Sequence, residues 1–194
     1  MLCFHKSANC ASLRKKQKGS ALLEFAIALP LLVVFIVGIY DFSGAFNTKQ
    51  KIEHAAQLGA IVAGAQPTND LDPLNANPDS LQPVVTVVFN SLAADGVLPL
   101  ANQGSCKVAS AISGHTAGSL QWSYAVSGCA DALNIVINRG VVSGGGPPVA
   151  VGTSVKVSYP YNWRFNSAIQ LLFPGASYAA VTTLTETATV HNQT

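Results

Sequence analysis

Charge is scarce in this 194-residue chain: Asp, Glu, Lys and Arg together make up 10%, against roughly 25% in ordinary soluble domains. Hydrophobic residues reach 49%, so much of the chain must meet lipid, protein or a weakly charged surface. Acidic residues are missing altogether before Glu24, whereas Lys6, Arg14, Lys15, Lys16 and Lys18 all precede it. Beyond Lys18 the balance reverses, with 6 Lys/Arg against 9 Asp/Glu, a formal −3. No clustered basic face is left for nucleic acid, which is not expected as a partner. Catalytic signatures are lacking too. His54, His115 and His191 are far apart, no His-Glu-x-x-His pair exists, and there is no G-x-S-x-G elbow. "SGGGPP" at Ser143–Pro148 lacks the Lys-Ser/Thr of a phosphate loop and reads as a flexible connector. His115, in "SGHTAGS", reads as a loop residue. No enzymatic activity, metal or cofactor is expected.

One long hydrophobic run is present. "KGSALLEFAIALPLLVVFIVGIYDF" fills Lys18 to Phe42. Ser20 to Tyr40 is 21 residues, about 31 Å of helix and long enough to cross a bilayer. The span is that long only if Glu24 lies inside it, and an ionised carboxylate in hydrocarbon is costly unless neutralised. Basic residues before the run orient the rest of the chain out of the cytoplasm. Asp41-Phe42-Ser43-Gly44-Ala45 fits a signal-peptidase site poorly.

The cysteines divide two and two. Cys3 and Cys10 lie in the basic leader, match no metal-ligand spacing and follow no apolar stretch. Cys106 and Cys129 lie in the exported part, where an oxidising compartment favours a disulfide. Closing the loop of about 23 residues between them contributes about 3 kcal/mol. Two buried free thiols are the alternative.

Beyond the apolar run, Phe42, Ala45, Phe46, Lys49, Ile52, Ala56, Gly59 and Ala63 recur at helical steps, predicting an amphipathic continuation. Pro30 should kink or locally melt the helix. Lys49, Lys51 and Glu53 read as a solvated face, with subunit pairing as the alternative. "QPTNDLDPLNANPDS" reads as a loop. A second helix follows, with Leu81, Val84, Val85, Val88 and Leu92 on its apolar face and Asp95-Gly96 at its end. Asn77 as its cap, with Pro78 at the first position, would leave Pro83 inside the helix. Ser80 as its cap, the preferred start, places Pro83 in the first turn, where proline is tolerated; a strand through "VVTVVF" is the alternative. "VAVGTSVKVSYPY" alternates, with Val151, Thr153, Val155, Val157 and Tyr159 on one face, and "AAVTTLTETATV" is a second strand. Ser119–Ser127 and Ala132–Asn138 are weaker strands. "YPYNWRF", at Tyr159–Phe165, is either an edge of the core or a partner-docking surface.

"KKQKGSALLEF" closely resembles a type IV prepilin processing site: a glycine, four residues, Glu-Phe, and an apolar stretch. The stretch from Gly19 to Gly64 is similar to the amino-terminal region of TadE-like proteins, minor pseudopilins of tight-adherence (Flp/Tad) pili. Glu-Phe-Ala, the Leu-Pro inside the run, the Asp-Phe at its end and "HAAQLGA" carry that resemblance, and the late "VKVSYPY" and Thr/Ala-rich strand also fit. The resemblance implies cleavage by prepilin peptidase between Gly19 and Ser20. It also implies an assembly role for Glu24 and Phe25, with Glu24 pairing with the new terminal amine of a neighbouring subunit. The implied partners are the major Flp pilin, other minor pseudopilins, the inner-membrane assembly platform and membrane lipid. The expected location is the bacterial inner membrane with the carboxy-terminal domain in the periplasm, then the pilus or cell surface. The fold class is α+β and pilin-like. A cleaved leader fills 1–19, a transmembrane and amphipathic helix 20–64, a loop 65–77 and an extracytoplasmic domain 78–194. An unprocessed, signal-anchored binding or adhesin domain is the alternative.

Overall fold

A computed structural model describes residues 10–98, 106, 114–115, 118–126, 128–129, 131–143, 150–165, 170, 175 and 181–193. Leader residues 1–9 with Cys3, the connector at 144–148, and residues 127 and 179–180 of the expected strands lie outside them. The architecture is α+β. Helix α1 (Cys10–Ala65), a 3-10 turn (Asp79–Leu81) and helix α2 (Gln82–Ala94) precede five strands. These are β1 (Gly114–His115), β2 (Gln121–Val126), β3 (Leu133–Ser143), β4 (Ala150–Asn162) and β5 (Val181–His191), in one antiparallel sheet of order β1-β2-β3-β4-β5.

The chain forms two compact units, Met1–Ser43 with Arg164–Tyr178, and Gly44–Trp163 with Ala179–Thr194. The division falls inside α1. In the first unit α1 runs unbroken through Pro30, so the expected local melting is not found. Proline removes one hydrogen bond, and the helix continues on both sides of it. The helix also begins ten residues before Ser20, at Cys10, because "ASLRKKQK" consists mostly of good helix formers.

In the second unit α1 buries Ala45, Ile52, Ala55, Ala56, Ala60 and Ala63. Phe46, expected on that stripe, is exposed instead, as is Phe42 in the first unit. The packed face is made of small residues because neighbouring elements come close. A Cβ on Gly59 would lie 2.5 Å from Val88 Cγ2 and 3.2 Å from Val155 Cγ1. Of the expected solvated face, Lys49 pairs with Glu186 on β5 at 3.2 Å, and Lys51 Nζ donates to the Asp95 carbonyl at 2.7 Å. That carbonyl closes α2, where cations suit the helix dipole.

The valine-rich stretch is helical, and α2 buries Val84, Val85, Val88 and Leu92. Pro83 lies in its first turn, but the cap is Leu81, with no side-chain bond. Ser80 instead sits in the preceding 3-10 turn, its N–H given to Asp70 Oδ2 at 2.8 Å. The helix ends in a Schellman motif. Gly96, at φ 68°, donates to the Ala93 carbonyl at 3.2 Å, and Val97 donates to the Leu92 carbonyl at 3.0 Å.

The sheet completes the core with Trp122, Tyr124 and Val126 from β2, Leu133, Ile135 and Ile137 from β3, and Val155, Val157 and Tyr159 from β4. Thr153 shares the inward face of β4, while Val151, near its start, is 47% exposed. On β5 the residues Leu184, Ala188 and Val190 pack against the core, and the alternating Thr183, Thr185, Thr187 and Thr189 face outward. His115 is not in a loop. It pairs with Trp122 across β1–β2, and its ring stacks on the indole at 5.1 Å. Cys106 and Cys129 are joined in a disulfide with a Cα–Cα distance of 4.3 Å.

Candidate functional site

The segment from Gly19 to Glu24 is one turn and a half of α1. Ser20 and Glu24 stand four residues apart, hence on one helix face, and Ser20 Oγ donates to Glu24 Oε1 at 3.1 Å. Among the residues whose side chains are described, no cation pairs with Glu24. A Cβ on Gly19 would meet nothing within 4 Å. The backbone at Gly19–Ser20 is helical and open on its side-chain face, and glycine holds a helix less firmly than alanine would.

On both sides of Glu24, from Leu22 to Ile39, α1 presents apolar surface outward. Phe25 is 63% exposed, and Leu22, Leu23, Ile27, Leu31, Leu32, Phe35, Ile36 and Ile39 are similarly uncovered. Gly19–Ala65 has the length and apolar composition to cross a membrane, with a mean hydropathy of 2.7 over its most apolar window. A contiguous apolar surface on this scale demands lipid or other helices. The geometry therefore places one carboxylate and one hydroxyl at the head of a bare apolar rod.

At the other end of this rod sits Asp41, only 2% exposed. Its Oδ2 accepts the Phe165 backbone N–H at 2.7 Å. Phe165 also packs near Gly38, where a Cβ would stand 3.9 Å from its ring. In the sequence Asp41 stands out only as the end of the apolar run, in a stretch that fits a signal-peptidase site poorly and in the Asp-Phe of the family resemblance. Its role in holding a residue 124 positions away has no local signal.

In the aromatic cluster at Tyr159–Phe165 one residue is buried, Asn162 and Arg164 are exposed and the others are half-buried. Tyr159 is buried, and burial first, then the negative charge of Asp131, raises its hydroxyl pKa above the ordinary value. Tyr161 and Trp163 meet edge to face at 5.1 Å, Trp163 Nε1 donates to Thr182 Oγ1 at 2.7 Å, and Asn162 Nδ2 donates to Asp131 Oδ2 at 3.2 Å. The Tyr161 hydroxyl lies 2.8 Å from where a Cβ on Gly44 would be, so that glycine seats the ring. These contacts match the core-edge reading of the cluster.

Among the described residues no group of three His, Cys, Asp or Glu side chains stands close enough to hold a metal ion.

Residues 19–60 match the family model described as TadE-like protein. No curated protein and no solved structure matches the chain. The matched segment covers Gly19, Ser20, Glu24, Phe25 and Asp41, together with the small-residue face of α1 up to Ala60. It points to a protein related to tight-adherence pili, with a membrane-anchoring helix.

Proposed function

We propose that this chain is a minor pseudopilin, an assembly or tip component of a tight-adherence pilus, matured by prepilin peptidase between Gly19 and Ser20. The observation that carries the reading is the lone carboxylate of Glu24 at the head of an exposed apolar helix, inside the TadE-like segment. Cleavage makes Ser20 the new terminus, with an α-amine largely cationic at neutral pH. Glu24, four residues on, is then positioned to neutralise the amine of a neighbouring subunit. Each charge offsets the other's desolvation, and a wrong axial register strands a bare charge in an apolar bundle. Glu24 thus acts as a register device, and Phe25 packs beside it. The domain after residue 44 faces the periplasm before incorporation, and the major Flp pilin, other pseudopilins and the inner-membrane platform are its partners. The protein has no catalytic role.

One observation favours the alternative of an unprocessed anchor: α1 is continuous from Cys10 to Ala65, so the peptidase must unwind helix to reach the Gly19 carbonyl. Intact-mass measurement of the protein purified from the envelope decides between them, with Ser20 expected at the terminus. Glu24→Gln keeps the side chain's shape and its bond to Ser20 but loses the charge. It should be processed nearly normally and give few pili, since breaking one side of a buried pair costs about 3–5 kcal/mol. A retained leader in the wild type sinks the pilin reading. Normal pili from Glu24→Gln would sink the register role alone.

A further inference from the structure

The second unit holds a buried cation that pilus assembly through α1 does not use. On β3 the inward positions are Leu133, Ile135, Ile137 and then Arg139, which is 1% exposed. A guanidinium stands where the pattern asks for another aliphatic. Its backbone is fixed by a 2.8 Å bond from Arg139 N to the Leu120 carbonyl and by a register shift between Asn138 and Val141, where Gly140 N–H donates to Asn138 Oδ1 at 2.9 Å. Bulges of this kind aim a side chain.

Among the described residues the guanidinium makes one hydrogen bond, Nη2 to the Gln66 carbonyl at 2.9 Å, and its Nε and Nη1 are buried without a partner. Donors of a charged group left so are costly in a folded protein. Asp70 lies near enough to act on the guanidinium by its charge, opposing the lowering of the pKa by burial. No hydrogen bond joins it to those donors: Nε and Nη1 are unpartnered, as is Asp70 Oδ1, while Asp70 Oδ2 takes the Ser80 N–H.

Beside Arg139 opens a cavity of about 430 Å³, lined by Thr68, Leu71, Leu120, Arg139, Val151 and Asn192. Among these described residues none is acidic. Asn192 Oδ1 is already taken by Thr153 Oγ1 at 2.6 Å, which leaves the Asn192 side chain its N–H donors. The polar lining is thus donor-rich, and the remaining walls are aliphatic.

We propose that this cavity is a carboxylate-binding site, in which Arg139 supplies the charged donors and Leu71, Leu120 and Val151 receive a short aliphatic stem. A planar guanidinium matches a carboxylate with two parallel hydrogen bonds. With Asp70 standing near the single cation, a monoanion fits better than a phosphate dianion. The carboxylate is borne by a small organic acid or by an acidic side chain of a neighbouring protein.

The test uses the full chain in detergent micelles with ¹⁵N-labelled arginine. The sequence has three arginines, Arg14, Arg139 and Arg164, so the Arg139 Nε–Hε signal is assignable by substitution. Sodium butyrate should shift that signal saturably, and the isosteric neutral butyramide should do so at least about tenfold more weakly, as expected when a charge-assisted bond is lost. Arg139→Gln should abolish the response of the Leu71, Leu120 and Val151 methyl groups. If that variant fails to fold, the wild-type comparison of butyrate with butyramide decides alone. A peptide with one glutamate, acetyl-Ala-Glu-Ala-amide, saturating well below butyrate assigns the site to a protein side chain; the reverse order assigns it to small acids. An Arg139 signal unmoved by any of them, or moved equally by butyrate and butyramide, overturns the proposal.

Discussion

Between Leu22 and Ile39, α1 carries large Leu, Ile, Val and Phe side chains that stand exposed, whereas between Ile52 and Ala63 its buried positions are mostly Ala and Gly. The same helix thus follows two sets of rules. In the first stretch bulk is spread around the whole circumference, which suits lipid tails or a bundle of like helices with no preferred inward face. In the second, side-chain volume is removed from one face so that α2 and β4 can approach the backbone. Hydrophobicity alone does not mark a protein's own core; the distribution of bulk around the helix does.

The sharpest way to break this contrast is to truncate an isoleucine in each stretch. Ile52→Ala leaves a hole in the packed unit and should destabilise it by about 2–5 kcal/mol. Ile36→Ala removes a side chain that is 57% exposed and should change the stability of the same unit by less than about 0.5 kcal/mol. Denaturant unfolding in detergent micelles measures both, and equal effects would erase the distinction. Next in size is the disulfide. Cys106→Ala with Cys129→Ala should cost about 3 kcal/mol and leave the apolar stretch of α1 helical by circular dichroism. The smallest effect sharpens the comparison through glycine. Gly59→Ala should destabilise by about 1–3 kcal/mol through overpacking against Val88 and Val155. Gly19→Ala, with open space around it and measured in the uncleaved precursor that still carries residue 19, should gain helix stability by about 0.5–1 kcal/mol. Thermal melts of the two variants would move in opposite directions.

Much of this was legible because it is local. The apolar run, the Asp95-Gly96 helix stop, the buried valines of α2 and the alternation of β4 are written within a few residues of themselves. The segment carrying Gly19, Ser20 and Glu24 was readable for the same reason, since a carboxylate at the head of an apolar run is conspicuous. What could not be read depends on distant partners. Ser80 was expected to cap α2 because serine does so by a local side-chain bond; the helix begins one residue later, after Leu81, and Ser80 lies in the 3-10 turn with its N–H held by Asp70. A strand of two residues, as at His115, has no periodicity to detect. Phe46 fits a helical stripe by spacing alone, and only the packed sheet decides which side of α1 is covered. Arg139 did leave a faint trace, because "LNIVINR" puts an arginine in phase with Leu133, Ile135 and Ile137.

The loop after α1 has a bearing on the order of folding. Its carbonyls are bonded by residues far downstream: Gln66 by Arg139, Pro73 by His115 and by the Gly118 N–H, and Asn75 by the Trp122 indole at 3.0 Å. These partners are 42 to 73 positions away for the side-chain bonds. During synthesis α1 can form as it emerges, since every helical bond reaches back only four residues. The segment 66–78 must wait until β1, β2 and β3 exist, because large loops have to close before those bonds can be made. Chain order and assembly order therefore run opposite here, and a loop from the first half of the chain is among the last segments to settle.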